Sequence, residues 1–155
     1  MYIISVLLLL FVLPLGSVAI DHVHTGAPWL MLVGKWFVFW AAGVRLVLAG
    51  LRQILRPDFT AQEIFGLFDP DALPIVRELG IANLATGSVA LLSLAMPGFV
   101  LPTAIGATIF YGGVGIHHAL HGNRNANRTV AMATDLGMAL VFAFYVYERL
   151  ASGTL

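Results

Sequence analysis

The chain has no cysteine. Disulfides, thiolate nucleophiles, iron–sulfur clusters and cysteine zinc sites are excluded, and cysteine usage says nothing about the compartment. Charge is scarce too: 10% of the 155 residues are charged, eight basic against eight acidic, for a formal net charge of zero. No basic stripe exists to hold a polyanion, so nucleic acid is excluded as a partner. The Gly-x-Ser-x-Gly elbow, the Walker phosphate loop, His-Glu-x-x-His and the dinucleotide glycine pattern are all missing. A carrier built from two internal repeats needs a longer chain, unless this one works as an oligomer.

Apolar residues are what the chain has in excess. At 59% hydrophobic it lies well above the roughly 45–50% of a soluble domain. With about 20 residues consumed per crossing, little remains for a domain outside the bilayer. The fold class is therefore all-α: a polytopic membrane protein forming one domain, a four-helix transmembrane bundle plus one extra N-terminal helix.

Tyr2 to Ile20 is the first apolar run. Ser17-Val18-Ala19 resembles a signal-peptide cleavage site, but no Lys or Arg precedes the run, so a retained helix is favoured. Asp21 to Pro28 reads as a polar turn. A second span follows from Trp29 to Leu51, with Trp29, Trp36 and Trp40 suited to an interfacial belt. Arg56-Pro57 ends it. Thr60-Ala61-Gln62-Glu63 has capping-box spacing for a short interfacial helix over about 61–68. Further spans are predicted at Ile75 to Met96, Phe99 to His121 and Thr129 to Tyr147, the last two separated by the polar loop 122–128.

Arg52, Arg56, Arg77, Arg124 and Arg128 fall on one side of such an arrangement, and Lys35 and Arg149 on the other. The positive-inside rule then places the N-terminus in the cytoplasm and the C-terminus outside.

Ionisable groups inside a bilayer cost roughly 2.5 kcal/mol or more, so they face the bundle and meet partners, a ligand or water. Measured from a common inner boundary, Arg45 lies about 10 Å deep, Glu78 about 6 Å, Asn83 about 14 Å and Asp135 about 9 Å, with His117 one turn from its helix end. Helical periodicity puts Arg45 on a stripe with Gly34, Val38, Ala41, Leu48 and Arg52. It puts His117 with Gly106, Phe110 and Gly113, and Asp135 with Arg128, Ala131, Ala139 and Phe142. In the third span Glu78 shares a face with Ala82, Ala85 and Val89, whereas Asn83 shares one with Gly80, Gly87 and Ala90.

The candidate site is thus Arg45, Glu78, Asn83, His117 and Asp135, with Arg45 expected to pair with Glu78 or Asp135. As structure, these groups are ion pairs and hydrogen bonds that hold the bundle together. As function, they line an inner-leaflet cavity for a molecule with a polar head and an apolar tail, a quinone or a lipid. The favoured reading is a non-catalytic or accessory protein of the bilayer, alone, as a homo-oligomer or within a larger membrane complex. The alternative is a membrane enzyme using Glu78 or Asp135 as proton carrier. His117 and His121, at i and i+4, form a weak metal pattern without a supporting carboxylate, and His117 is the candidate axial ligand for a haem. Neither pattern justifies a predicted cofactor.

Several of these residues also carry a resemblance. Arg45 among small residues, Arg77-Glu78-Leu79-Gly80 followed by Asn83 and Gly87, and a glycine-rich helix ending in His117 resemble the DoxX-like group of small bacterial membrane proteins. Trp36-Phe37-Val38-Phe39-Trp40, Gly43 to Gly50, Arg56-Pro57 and Phe110-Tyr111-Gly112 resemble an uncharacterised family in that neighbourhood. The resemblance covers about Gly34 to Tyr147 and implies a four-helix core. It connects the chain to quinone-coupled oxidation, redox maturation or binding of lipophilic molecules. Thiol chemistry does not carry over, because the cysteine pairs of the redox members are missing here.

Overall fold

The computed structural model describes residues 2–120 and 126–153. Residues 121–125, with His121 and Arg124, lie outside the described residues. Among the described residues five helices are long and apolar enough to cross a membrane, and none is in a strand. They are α1 (Ile3–Thr25), α2 (Trp29–Leu55), α4 (Ala72–Leu92), α5 (Pro97–Leu120) and α6 (Ala126–Ala151). The short α3 occupies residues 57–65.

The helix ends follow from local chemistry. Asp21 to Thr25 continues α1 instead of turning, and the stop comes at Gly26, whose φ of 66° is a left-handed conformation that glycine adopts without a Cβ clash. Pro57 opens α3, three residues earlier than a cap at Thr60 would. Thr60 makes no capping bond and is buried with Ala61 and Ile64, so this helix packs one face inward. Gly66, at φ 70°, closes it.

Two of the long helices contain a π-turn. In α1 it spans Leu8–Val12, just before Pro14. Proline has no N–H and crowds the carbonyl four residues back, so a widened turn relieves the ladder there. In α2 it spans Val38–Val44, where the Arg45 N–H bonds to the Trp40 carbonyl, five residues back. One extra residue in a turn rotates everything after it. The buried positions of α2 accordingly run Gly34, Val38 and Ala41, then Leu46, Gly50 and Gln53, one residue later than an unbroken helix would put them.

α2 is the central helix. It packs against α1 along its first half and against α4 along its second, while α5 and α6 form a closely packed hairpin across from them. The α2–α4 seam is tight because it is built from glycines. A Cβ at Gly50 would stand 2.6 Å from the Gly80 carbonyl oxygen, and one at Gly87 would stand 2.8 Å from the Val47 nitrogen. Small residues of this kind let helix backbones approach within a bilayer.

The apolar core lies between α1, α2, α5 and α6, with Leu10, Leu32, Val38, Tyr111, Met138 and Phe142 almost wholly enclosed. Leu10 makes α1 an integral part of the packing. At that end α1 and α2 are also joined by polar contacts: Lys35 and the Trp36 indole both donate to Asp21 Oδ2, at 2.7 and 2.9 Å, and Trp40 donates to Ser17.

Candidate functional site

The α2 π-turn leads directly to the most enclosed polar group of the bundle. Because the Arg45 N–H reaches back to Trp40, the Ala41 carbonyl is available to a side chain, and the buried Tyr111 hydroxyl of α5 donates to it. The same hydroxyl accepts a hydrogen bond from Arg45 Nη1 at 3.1 Å. Arg45 Nη2 donates to Asp135 Oδ1 of α6 at 3.2 Å, forming an ion pair whose side chains are 14% and 5% exposed. Three helices thus meet through one guanidinium. The Tyr111 ring stacks on Phe142 at 6.0 Å and 8°, which fixes the hydroxyl in place.

Asn83 belongs to a second contact. Its amide donates to Gln53 Oε1 at 2.8 Å, across the glycine seam between α4 and α2 and out of water. The polar pair forms where Gly80 and Gly50 let the helices touch.

Beside these groups, at the end of the bundle where α2 and α5 finish and α6 begins, lies a recess of about 640 Å³. All six helices contribute to its wall, including Val6 and Leu9 of α1 and Phe65 of α3. Arg45, Asn83, His117 and Asp135 all line it. Most of its surface is apolar, from residues such as Val76, Leu79, Phe110 and Val114.

Glu78 is not part of this assembly. It is exposed, makes no ion pair among the described residues, and does not line the recess. Periodicity offered two faces for α4, and the one packed inward is Val76, Gly80, Asn83, Gly87 and Ala90; Ala82, Ala85 and Val89 face outward with Glu78. Close approach to α2 decides this, since glycine permits it and glutamate does not. On α5 the inward face is likewise the neighbouring one. Tyr111, Gly115 and His118 are buried, whereas Gly113 and His117 are exposed beside the recess. A Cβ at Gly115 would lie 2.8 Å from the Leu136 side chain, so this is the face seated on α6.

His117 and His118 have ring centroids 6.2 Å apart at 62° and do not converge. Among the described residues no three metal-ligating side chains come together, and the i, i+4 partner His121 lies outside them. Periodicity pointed to neither Tyr111, Gln53 nor His118 as a site residue. The one available signal was a polar residue on a stripe with small ones: Gln53 follows Gly50 by three, and Tyr111 follows Ala107 by four.

Comparison with known proteins places residues 1–152 in a family of unknown function, DUF6790, and the chain belongs to that family. No curated protein matches it, and no solved structure does. The match is to an uncharacterised family, as expected, and it carries no connection to DoxX-like proteins.

Proposed function

We propose that this DUF6790 member is a membrane-embedded binding protein, accessory and not itself catalytic, whose recess holds a lipophilic molecule with a polar head, a lipid or a quinone. The observation that carries this reading is the composition of the recess: about 640 Å³, within the roughly 300–1,000 Å³ usual for small-molecule sites, with apolar walls and a few convergent polar groups. An isolated structural ion pair requires no such space beside it. With five spans the termini fall on opposite sides. The arginine-rich end, which carries the recess, then faces the cytoplasm of a bacterial inner membrane. Kinship with DoxX-like proteins belongs to the same reading. It rests on Gly80, Asn83 and Gly87, all of which face α2.

Gly113 provides the test. It lines the recess, and a Cβ there meets nothing within 4 Å, so a larger side chain enters open space without disturbing a helix contact. Gly113→Leu is expected to fold as wild type and to lose whatever lipid or quinone is extracted from protein purified in mild detergent. Equal amounts in the two extracts would overturn the reading. A Soret band or stoichiometric metal in the same preparation would replace it with a haem or metal protein using His117.

A further inference from the structure

The ions on the wall of the recess are already engaged. Arg45 and Asp135 hold each other, the Arg52 guanidinium lies 3.6 Å from the centroid of the Phe59 ring, and His117 and Arg128 have partners as well. Among the described residues, the polar groups left over are uncharged. His118 is 2% exposed, lines the recess, and its Nδ1 has no hydrogen-bond partner among the described residues. Phe65 of α3 stacks on the ring at 6.1 Å and 30°, which holds it in place. Thr60, on the same short helix, is buried against the recess, and its hydroxyl makes no hydrogen bond among the described residues. Gln53 and Asn83 share a single hydrogen bond, so the second polar atom of each amide is also unmatched among the described residues. Four helices thus bring unused neutral hydrogen-bonding capacity to one recess. A buried ring nitrogen without a partner is costly unless something else bonds to it.

Resting on the binding reading above, we infer that the molecule held here is a neutral lipid alcohol, whose hydroxyl bonds to His118 Nδ1 with Thr60 and the Gln53–Asn83 pair around it. Its chain lies against Leu79, Phe110 and Val114, which also line the recess. A hydroxyl both donates and accepts, so it satisfies Nδ1 in either tautomer and can meet an amide N–H or carbonyl besides. An ester or ether oxygen only accepts. An anionic head would give up its water to a wall whose cations are taken. The depth also fits, because Gln53 and His118 are each two residues from the end of their helix, about 3 Å in. A diacylglycerol and a quinol both carry such a hydroxyl, and the experiment separates them.

The full chain, purified in detergent, would be offered dioleoylglycerol together with its acetate ester, in which the hydroxyl is capped, and retained lipid read by native mass spectrometry. A long-chain ubiquinol with its dimethyl ether forms the second pair. In at least one pair the alcohol is expected to be retained about three- to tenfold over its capped form, as for the gain of one neutral hydrogen bond, and the pair that discriminates identifies the source. His118→Phe keeps a ring against Phe65 and removes both nitrogens; it should abolish the preference and leave the capped form bound as in wild type. Thr60→Val, which keeps the shape of the side chain, should reduce the preference about twofold. Dioleoyl phosphatidate, with a charged phosphate in place of the hydroxyl, should not displace the alcohol. Equal retention within both pairs, or a preference unchanged in both variants, would overturn the inference, and so would displacement by phosphatidate. Retention of alcohol and capped form without preference, abolished by Gly113→Leu, would leave the binding reading standing and remove only the hydroxyl. Retention of none of the four would remove both.

Discussion

Lys35 and Arg45 lie on one helix, ten residues apart, and each is bound to an aspartate from another helix and to an aromatic side chain. Lys35 holds Asp21 at 2.7 Å with side chains 35% and 14% exposed, and Arg45 holds Asp135 at 3.2 Å with 14% and 5%. The shorter contact is the weaker structural commitment. At the Lys35 end the Trp36 indole shares the same carboxylate oxygen, and the ammonium remains partly open to solvent. At the Arg45 end one guanidinium joins α2, α5 and α6, and its partners Asp135 and Tyr111 are almost wholly enclosed. Between them lies the π-turn Val38–Val44, which turns the second half of α2 so that Gly50 meets α4. Burial and the number of helices joined decide what a charged contact does here, and distance does not.

The largest effect should come from the buried side of that contrast. Arg45→Ala leaves Asp135 enclosed without its guanidinium and Tyr111 without its donor. Removing one member of a buried pair costs about 3–5 kcal/mol. The measurement is thermal unfolding in detergent, followed by tryptophan fluorescence. Replacing both partners by apolar residues of similar size, Arg45→Met with Asp135→Leu, should recover most of the loss, because no buried charge is then stranded. A double variant no better than the single one would mean that the pair contributes through Tyr111 alone.

A middle effect belongs to the seam that the π-turn creates. Gly50→Ala sets a Cβ 2.6 Å from the Gly80 carbonyl oxygen and 2.8 Å from the Leu84 nitrogen. Both are backbone atoms, so the helices themselves must part. Overpacking of this kind costs about 1–3 kcal/mol, and the shift should also lengthen the Asn83–Gln53 bond. Gly113→Ala, in open space on α5, is the control. It should unfold at or slightly above the wild-type temperature, since alanine favours a helix by about 1 kcal/mol over glycine. Equal losses at the two positions would mean that helix propensity, and not close approach, governs both.

The number and class of the helices follow from apolar runs alone, because a bilayer accepts little else. The Asp135 stripe of α6 was more legible, since Arg128, Ala131, Asp135, Ala139 and Phe142 follow an unbroken 3.6-residue period and all are buried except the half-buried Ala139. Glu78 was misplaced for a definite reason: α4 offers small residues on two faces, and only the position of the α2 glycines selects one. The second half of α2 was out of register because no residue in Val38–Val44 announces a π-turn. Arg45 still points inward because it sits at the end of that turn, whereas Leu48 and Arg52 beyond it are turned out. His118 was hidden behind His117 by the same one-residue ambiguity on α5. Periodicity read the depth of each group well and its facing only where a single stripe was available.

The smallest effect should come from the Lys35 end. Lys35→Ala removes the ammonium from Asp21 but leaves the Trp36 indole on the same oxygen. The freed carboxylate stands at the end of α1, four residues from its last residue Thr25, close enough to the helix end to draw on water. The ammonium also loses its place 4.7 Å from the Trp36 ring centroid, a contact worth little where solvent competes. Exposed ion pairs contribute near zero in most cases, so the melting temperature should move by about 2 °C or less, with α1 still packed through Leu10. The sharper measurement is Trp36→Phe, which removes the indole N–H while Lys35 remains. If Asp21 serves only to hold α1 against α2, the two single variants should each be mild and the pair Lys35→Ala with Trp36→Phe clearly worse than their sum, because either donor alone satisfies the carboxylate. A loss from Lys35→Ala as large as that from Arg45→Ala would break the contrast between the two halves of α2.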